Sequence, residues 1–152
     1  LMADSPEAAE VLRSQRSIKR TLTAAKEADV ALLGIGNLNP ATSGFVKAGS
    51  MAEDELIQLT ADGAVGDIGG QIITGDGGLY PCDYNQRIIG LSLEEIRGIP
   101  TTIATAACQG KARAIQSALL TGIVDVLFTD DSAAKELLEL EYARRAQEVN
   151  PT

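Results

Sequence analysis

Hydrophobic positions along the chain follow two rhythms. From Ser5 to Ala28 they recur at helical spacing. Val11, Ile18, Leu22 and Ala25 share one face, and Arg13, Arg16, Lys19, Arg20 and Lys26 lie mostly elsewhere, which predicts one long helix. Ser5 before Pro6 supplies an N-cap and a first-turn proline. The rhythm then changes. "ADVALLGIG", Ala28 to Gly36, is a continuous apolar run of strand length ending in glycines, the pattern of a buried parallel strand. Asn37 to Ser50, with Pro40 and small residues around Gly44, reads as a loop.

Ala52, Leu56 and Leu59 mark a short helix that stops at Gly63. "AVGDIGGQII" is glycine-rich but β-branched at its end, so it is expected to be a strand with a bulge or a close backbone approach. Gly75 to Asn85 is a turn-rich loop, and Ser92 caps a short helix, "LEEIRGI". After Pro100 come a strand from Thr101 to Ala106, a helix from Lys111 to Thr121 and a strand from Val124 to Phe128. A last helix runs from Ser132 to about Gln147, with Leu137 and Leu138 facing inward and Arg144 and Arg145 in its last turns, where the helix dipole favours cations.

Strands alternate with helices across crossover-sized connections. The fold class is therefore α/β, a Rossmann-like sandwich with a parallel sheet and helices on both faces. Ligands of such sheets bind beyond the carboxyl ends of the strands. Three ends are expected on one rim: Gly34 to Asn37, Ala107 to Lys111, and Thr129 to Asp131.

Composition narrows the function. The 152 residues suit one domain, and 45 % hydrophobic content excludes a disordered tail. A net charge of −8 argues against this segment gripping nucleic-acid phosphates by itself. No apolar run approaches a membrane span. "LMADSPEAAE" is neither basic nor followed by an apolar signal region, so export is not expected. Cys82 and Cys108 form no CxxC or CxxH pattern, which fits a reduced, cytoplasmic setting. With no histidine, the chain lacks a Ser-His-Asp or Cys-His nucleophile and any zinc site that needs an imidazole. No cofactor is expected.

Lys111 stands out because it opens a helix, where the dipole disfavours positive charge. Free amides of Gln109, Gly110 and Lys111 beside an ammonium would suit a phosphate or an oxygen-rich sugar, and Gly110 would let the backbone come close. A solvated lysine that merely begins a helix is the plainer alternative. Asp67 is the second candidate. A carboxylate in an apolar, glycine-flanked strand is costly to bury without partners. It could accept hydrogen bonds from sugar hydroxyls, or be a structural group satisfied by backbone amides or by Arg87. Gly34 and Gly36 in "LLGIG" resemble half of a dinucleotide fingerprint, but the third glycine and the following helix are missing, and a tight turn explains the pair. Thr129, Asp130 and Asp131 are expected to cap the last helix, with ligand contact as the lesser alternative.

"GAVGDIGG", then "NQRIIGLSLEEIRGIPTTIATAACQGKARAIQSALLTGIVDVLFTDDSAAKELL", resembles the effector-binding domain of SorC-type bacterial transcriptional regulators. That family has a GDxxG-like segment, an R-x-IGL-x-L-x-x-L-x-x-IP run, a K-x-x-AI helix and an L-I-T-D-E-x-x-A ending. "ADVALLGIG" is similar to the family's strand before its GIG turn. Here Ala107 and Cys108 stand where the family usually has two glycines, Ile72 to Thr74 replace "FFD", and "FTDD" replaces "ITDE".

The resemblance implies a fold similar to ribose-5-phosphate isomerase, glucosamine-6-phosphate deaminase and the CoA transferases. It implies a phosphorylated sugar as effector, DNA binding only through a separate N-terminal helix-turn-helix domain, a homo-oligomer and no membrane. Residues 1–152 would be the C-terminal part of the effector domain, lacking the family's phosphate loop and helix-turn-helix. The ligand carboxylate matches Asp67 and the ligand lysine matches Lys111, with Gly110, Gln109, Cys108 and Gly36 beside them. The competing reading is a sugar-phosphate isomerase or deaminase on the same fold. Proton transfer would ask Asp67 and Lys111 to serve without a second acid-base group in view.

Overall fold

The computed structural model describes residues 1–149. Helix α1 (Pro6–Ser14) begins as expected: Ser5 accepts from the Ala8 amide and Pro6 occupies the first turn. The long helix does not continue. Gln15 is extended, at φ −60° and ψ 132°, and α2 (Arg16–Lys26) starts afresh. Ser14 Oγ donates to the Val11 carbonyl, the local competition by which serine loosens a helix end. The break lets α1 sit on Ala3 and Ile89 through Ala9, while α2 buries no residue completely.

The sheet has five strands in the order β3-β2-β1-β4-β5. Strands β1 (Val30–Asn37), β4 (Thr101–Thr105) and β5 (Val126–Phe128) are parallel. The expected single strand after Gly63 is instead a hairpin, β2 (Ala64–Ile68) and β3 (Gln71–Thr74), turning at Gly69 and Gly70, both at positive φ. Strand β2 runs antiparallel to β1, so the sheet is parallel only in its β1-β4-β5 half. A register shift between Ala64 and Gly66 supplies the expected bulge. Asn85 covers the outer edge: its side chain accepts from the Ile72 amide and donates to the Ile72 and Tyr80 carbonyls.

The expected loop from Asn37 to Ser50 contains a short helix, α3 (Gly44–Lys47). Next comes α4 (Glu53–Ala61), and α5 (Asp83–Arg87) forms across the end of the turn-rich segment expected from Gly75 to Asn85. Ser92 closes a capping box on α6 (Leu93–Arg97), as the sequence indicates. Helix α7 (Ala112–Leu120) follows Lys111, and α8 (Asp131–Val149) follows β5.

One sheet face is covered throughout. Ile35, Ile68 and Ala104 pack with Ile96 of α6, Ala114, Ile115 and Ala118 of α7, and Ala133 and Leu137 of α8. Leu138, expected to face inward, is exposed instead, because it falls one position past the α7-facing stripe. Helix α7 lies close on β2: a β-carbon at Gly66 would come within 2.6 Å of Ala114 Cβ. The other face is covered only at its β2-β3 end. There Ile72, which shares Asp67's face by register, packs with Phe45, Leu56 and Tyr84 from α3, α4 and α5. Over β1, β4 and β5, Val30, Leu32, Val126 and Phe128 stand exposed. The expectation of helices on both faces therefore holds for half of the sheet.

Candidate functional site

The rim at the carboxyl ends of β1 and β4 brings together the residues that the sequence singles out. Asp67 lies on β2 as the register partner of Gly36. The two are so close that a β-carbon at residue 36 would lie 1.9 Å from Asp67 Oδ1. Gly36 is thus a matter of room. Both Gly34 and Gly36 lie within β1 and neither has positive φ, so the tight turn expected there is absent.

Burial pushes the Asp67 carboxyl up to about 6, against the Gly70 amide and the Lys111 ammonium, which pull it down. Of the structural partners considered for Asp67, the backbone amide is present. Arg87 instead pairs with Asp83 and lies over the Tyr84 ring. Burial also raises the Tyr84 hydroxyl, and the Asp67 charge adds to that effect.

Lys111 occupies the N-cap position of α7 and sends its side chain back to β1, where Nζ donates to the Ile35 carbonyl at 2.9 Å. The ammonium spends one donor there and keeps two. Lys111 is thus tethered rather than freely solvated. Asp67 and Lys111 meet across the dipeptide Ile35–Gly36, 31 and 75 residues from Gly36 in the chain. They make no contact ion pair among the described residues.

The loop before Lys111 is braced from α8. The Cys108 amide donates to Asp130 Oδ2 at 2.9 Å, and the Gly110 amide donates to Glu136 Oε2 at 3.0 Å. The expectation of free amides at the helix start therefore fails at Gly110, because packing of α7 against α8 puts a carboxylate there. Asp130 also caps α8, accepting from the Ala133 amide at 2.9 Å, and these amide bonds hold its carboxyl below the usual range. Cys108 is exposed and sits at φ 82°, a left-handed conformation that favours glycine, and Gly110 lies at φ 79°. Gln109 is exposed and makes no side-chain hydrogen bond among the described residues.

Of the residues that hold this loop, Asn37 and Asp130 lie in the expected rim segments, and only Glu136 escaped the sequence reading. Glu136 and Asp130 brace the loop, and Asn37 Nδ2 donates to the Gly110 carbonyl at 3.4 Å. Asn37 follows the glycine pair at a strand end, a place where a side chain meets the rim; Glu136 carried no local signal.

An open cleft of about 620 Å³ lies on this rim, lined by Gly34, Ile35, Thr105, Lys111, Phe128 and Asp130 among others. Asp67 stands outside that lining, one strand over. A second cleft, of about 500 Å³, lies between α2 and the β3 side, lined by Lys19, Leu22 and Gln71 among others, and touches none of the candidate residues. The rim offers a carboxylate acceptor, an ammonium donor and space, which is what binding a polyhydroxylated anion requires. Among the described residues no group of three or more His, Cys, Asp or Glu is arranged to hold a metal, and no helix is long and apolar enough to cross a membrane.

Comparison with known proteins agrees with the fold. The family model described as "Putative sugar-binding domain" matches residues 1–139. The chain is 32% identical over 142 residues to the transcriptional regulator LsrR of Klebsiella pneumoniae subsp. pneumoniae, covering 92% of this chain and 44% of that protein. It thus spans less than half the length of that relative. The sugar-binding domain of a transcriptional repressor from Vibrio fischeri superposes with a TM-score of 0.79 at 36% identity, over 91% of this chain and 55% of that one. The full-length sorbitol operon regulator SorC from Klebsiella pneumoniae has the same fold, with a TM-score of 0.78 at 24% identity, over 90% of this chain and 44% of that one. These relatives are transcriptional regulators and their sugar-binding domains, not isomerases or deaminases. The chain belongs to the sugar-binding domain family.

Proposed function

We propose that this domain senses a phosphorylated sugar in the cytoplasm and transmits its presence to a DNA-binding domain elsewhere in a homo-oligomeric regulator. The observation that carries the reading is the convergence of Asp67 and Lys111 on Ile35–Gly36 at the carboxyl end of β1. Asp67 accepts hydrogen bonds from sugar hydroxyls, and Lys111 offers its two remaining N–H groups to the phosphate. Cys108, Gln109 and Gly110 form the wall beside the phosphate, and Gly36 leaves room for the Asp67 carboxylate.

Sensing requires that the ligand bind one arrangement of the regulator better than the other. The loop Cys108–Gly110 suits that role, because Asp130 and Glu136 link it to α8 and a ligand at Lys111 would load those same contacts. The test is a thermal-shift panel that pairs each sugar phosphate with its unphosphorylated sugar. Stabilisation by phosphorylated members alone supports the reading. Equal stabilisation by both members of each pair removes the phosphate from it.

A further inference from the structure

Lys111 must cross from the start of α7 to β1 to place Nζ 2.9 Å from the Ile35 carbonyl. A lysine side chain is rich in rotamers and resists being fixed. Its reach is reproducible only if the backbone it leaves from is itself fixed. That backbone follows Gly110, the most permissive residue of the loop, at φ 79° and with nothing within 4 Å of where its β-carbon would be. Packing does not hold Gly110. Its two polar groups do.

The Gly110 N–H donates to Glu136 Oε2 of α8 at 3.0 Å, and its carbonyl accepts from Asn37 Nδ2, at the end of β1, at 3.4 Å. The orientation of the Asn37 amide is determined by its other partners. Oδ1 accepts from Thr42 Oγ1 at 3.0 Å and from the Asn39 amide at 3.3 Å. A flipped amide would set its N–H groups against the Asn39 N–H and its carbonyl against that of Gly110. Thr42 in turn precedes Ser43, the cap of α3. A closed ring results: Ile35 and Asn37 on one strand, Gly110 bonded to Asn37, Lys111 beside Gly110, and Lys111 Nζ back on Ile35. Among the described residues, the Asn37 bond is the one hydrogen bond from β1 onto the Gly110 backbone.

We propose that Asn37 is a positioning residue: its side-chain N–H holds the Gly110 carbonyl and thereby aims the Lys111 ammonium at Ile35–Gly36, on the side of Asp67. Asn37 is not among the residues that line the rim cleft, so it acts through Lys111. The plainer role for Asn37 is an Asx turn at the strand end, and that turn uses Oδ1 alone. The N–H side is superfluous to the turn, and it is the side that meets Gly110. A serine would keep an acceptor for the turn while being too short to reach Gly110. The bearing of this on a sugar phosphate rests on the sugar-sensing reading; the positioning does not, and it is measured without ligand, so either can fail alone.

The experiment follows hydrogen exchange of the Lys111 ammonium by NMR of the isotope-labelled chain, the signal being assigned by its loss in Lys111→Met. In the parent, the bond to Ile35 slows exchange relative to the exposed Lys19. Asn37→Ser is expected to speed it about fivefold, the factor for losing one ordinary hydrogen bond, and Asn37→Ala to do the same. Asn39→Ala, which loosens the same loop by removing the side-chain bond to the Ala41 amide, should leave it unchanged. Circular dichroism verifies folding, and Asn37→Ala decides alone if Asn37→Ser does not fold. Exchange in Asn37→Ser and Asn37→Ala as slow as in the parent overturns the proposal, as does a parent ammonium that exchanges as fast as Lys19. An equal effect of Asn39→Ala, or failure of both Asn37 variants to fold, assigns Asn37 to the loop's structure and also overturns it.

Discussion

The Asp67 carboxylate fills the space that a side chain on Gly36 would need: a β-carbon there would lie 1.9 Å from Oδ1. The obstructing atom ends a short side chain, so the carboxylate can rotate away at modest cost to the fold. Gly36→Ala should therefore cost about 1–2 kcal/mol of stability, in the lower range for overpacking. Affinity for a sugar phosphate should fall by about tenfold or more, because the acceptor is turned out of place. Calorimetric titration beside thermal unfolding checks both. An unchanged affinity would separate Asp67 from the ligand.

Asp67 also makes stability depend on pH in a direction unlike most carboxylates. Its folded-state value is raised to about 6, while an unfolded aspartate titrates near about 3.9. Between those values the folded chain holds a proton that the unfolded chain has lost, so this contribution to stability falls as pH rises and levels off above about 6. At neutral pH the cost is at most about 3 kcal/mol. Asp67→Asn should thus unfold at a higher temperature than the parent at pH 7.5, with the gap closing toward pH 4, while sugar affinity drops. A gap that widens at low pH would contradict the buried-carboxylate account.

Lys111 is tied to both partners of the site. Lys111→Met removes the bond to the Ile35 carbonyl and should cost about 1 kcal/mol. It also removes the cation that pulls the Asp67 value down, so the carboxyl should titrate above its present value of about 6. Carbon-detected NMR of the Asp67 carboxyl across pH 4–9 reads this directly. An unmoved titration would mean that the two charges do not sense each other.

Cys108 holds a left-handed backbone where glycine is favoured. The conformation costs an ordinary residue about 1–2 kcal/mol, partly offset by the extra freedom that glycine gives the unfolded chain. Cys108→Gly should therefore stabilise the protein by about 0.5–1 kcal/mol, measured by urea unfolding. A loss of stability would show that the thiol makes a favourable contact.

Much of the architecture is legible locally, and the site only in part. The Ser5 and Ser92 caps, the strand after Pro100 and the helix after Lys111 follow from nearest-neighbour chemistry and appear as expected. The Gly69–Gly70 turn carries a hairpin signal, a glycine pair between β-branched runs, but the same glycines also suit a single bulged strand. The break at Gln15 leaves the hydrophobic stripe unbroken, so periodicity cannot reveal it. Asp67 and Lys111 could be picked out by being costly where they stand. What holds them was not legible, because Gly36 meets Asp67 through antiparallel pairing and Glu136 meets Gly110 through helix packing. Both are contacts between residues 26 or more positions apart.

The most direct test of the account is chemical-shift mapping of the isotope-labelled chain, which reads even millimolar binding, titrated with paired sugars and sugar phosphates. The account predicts that a phosphorylated member, and not its unphosphorylated partner, shifts the amides of Ile35–Asn37, Asp67–Gly70 and Cys108–Ala112 together, and that Lys111→Met removes the response. Shifts centred instead on Lys19, Leu22 and Gln71 in the second cleft, or a response that survives Lys111→Met unchanged, would contradict it.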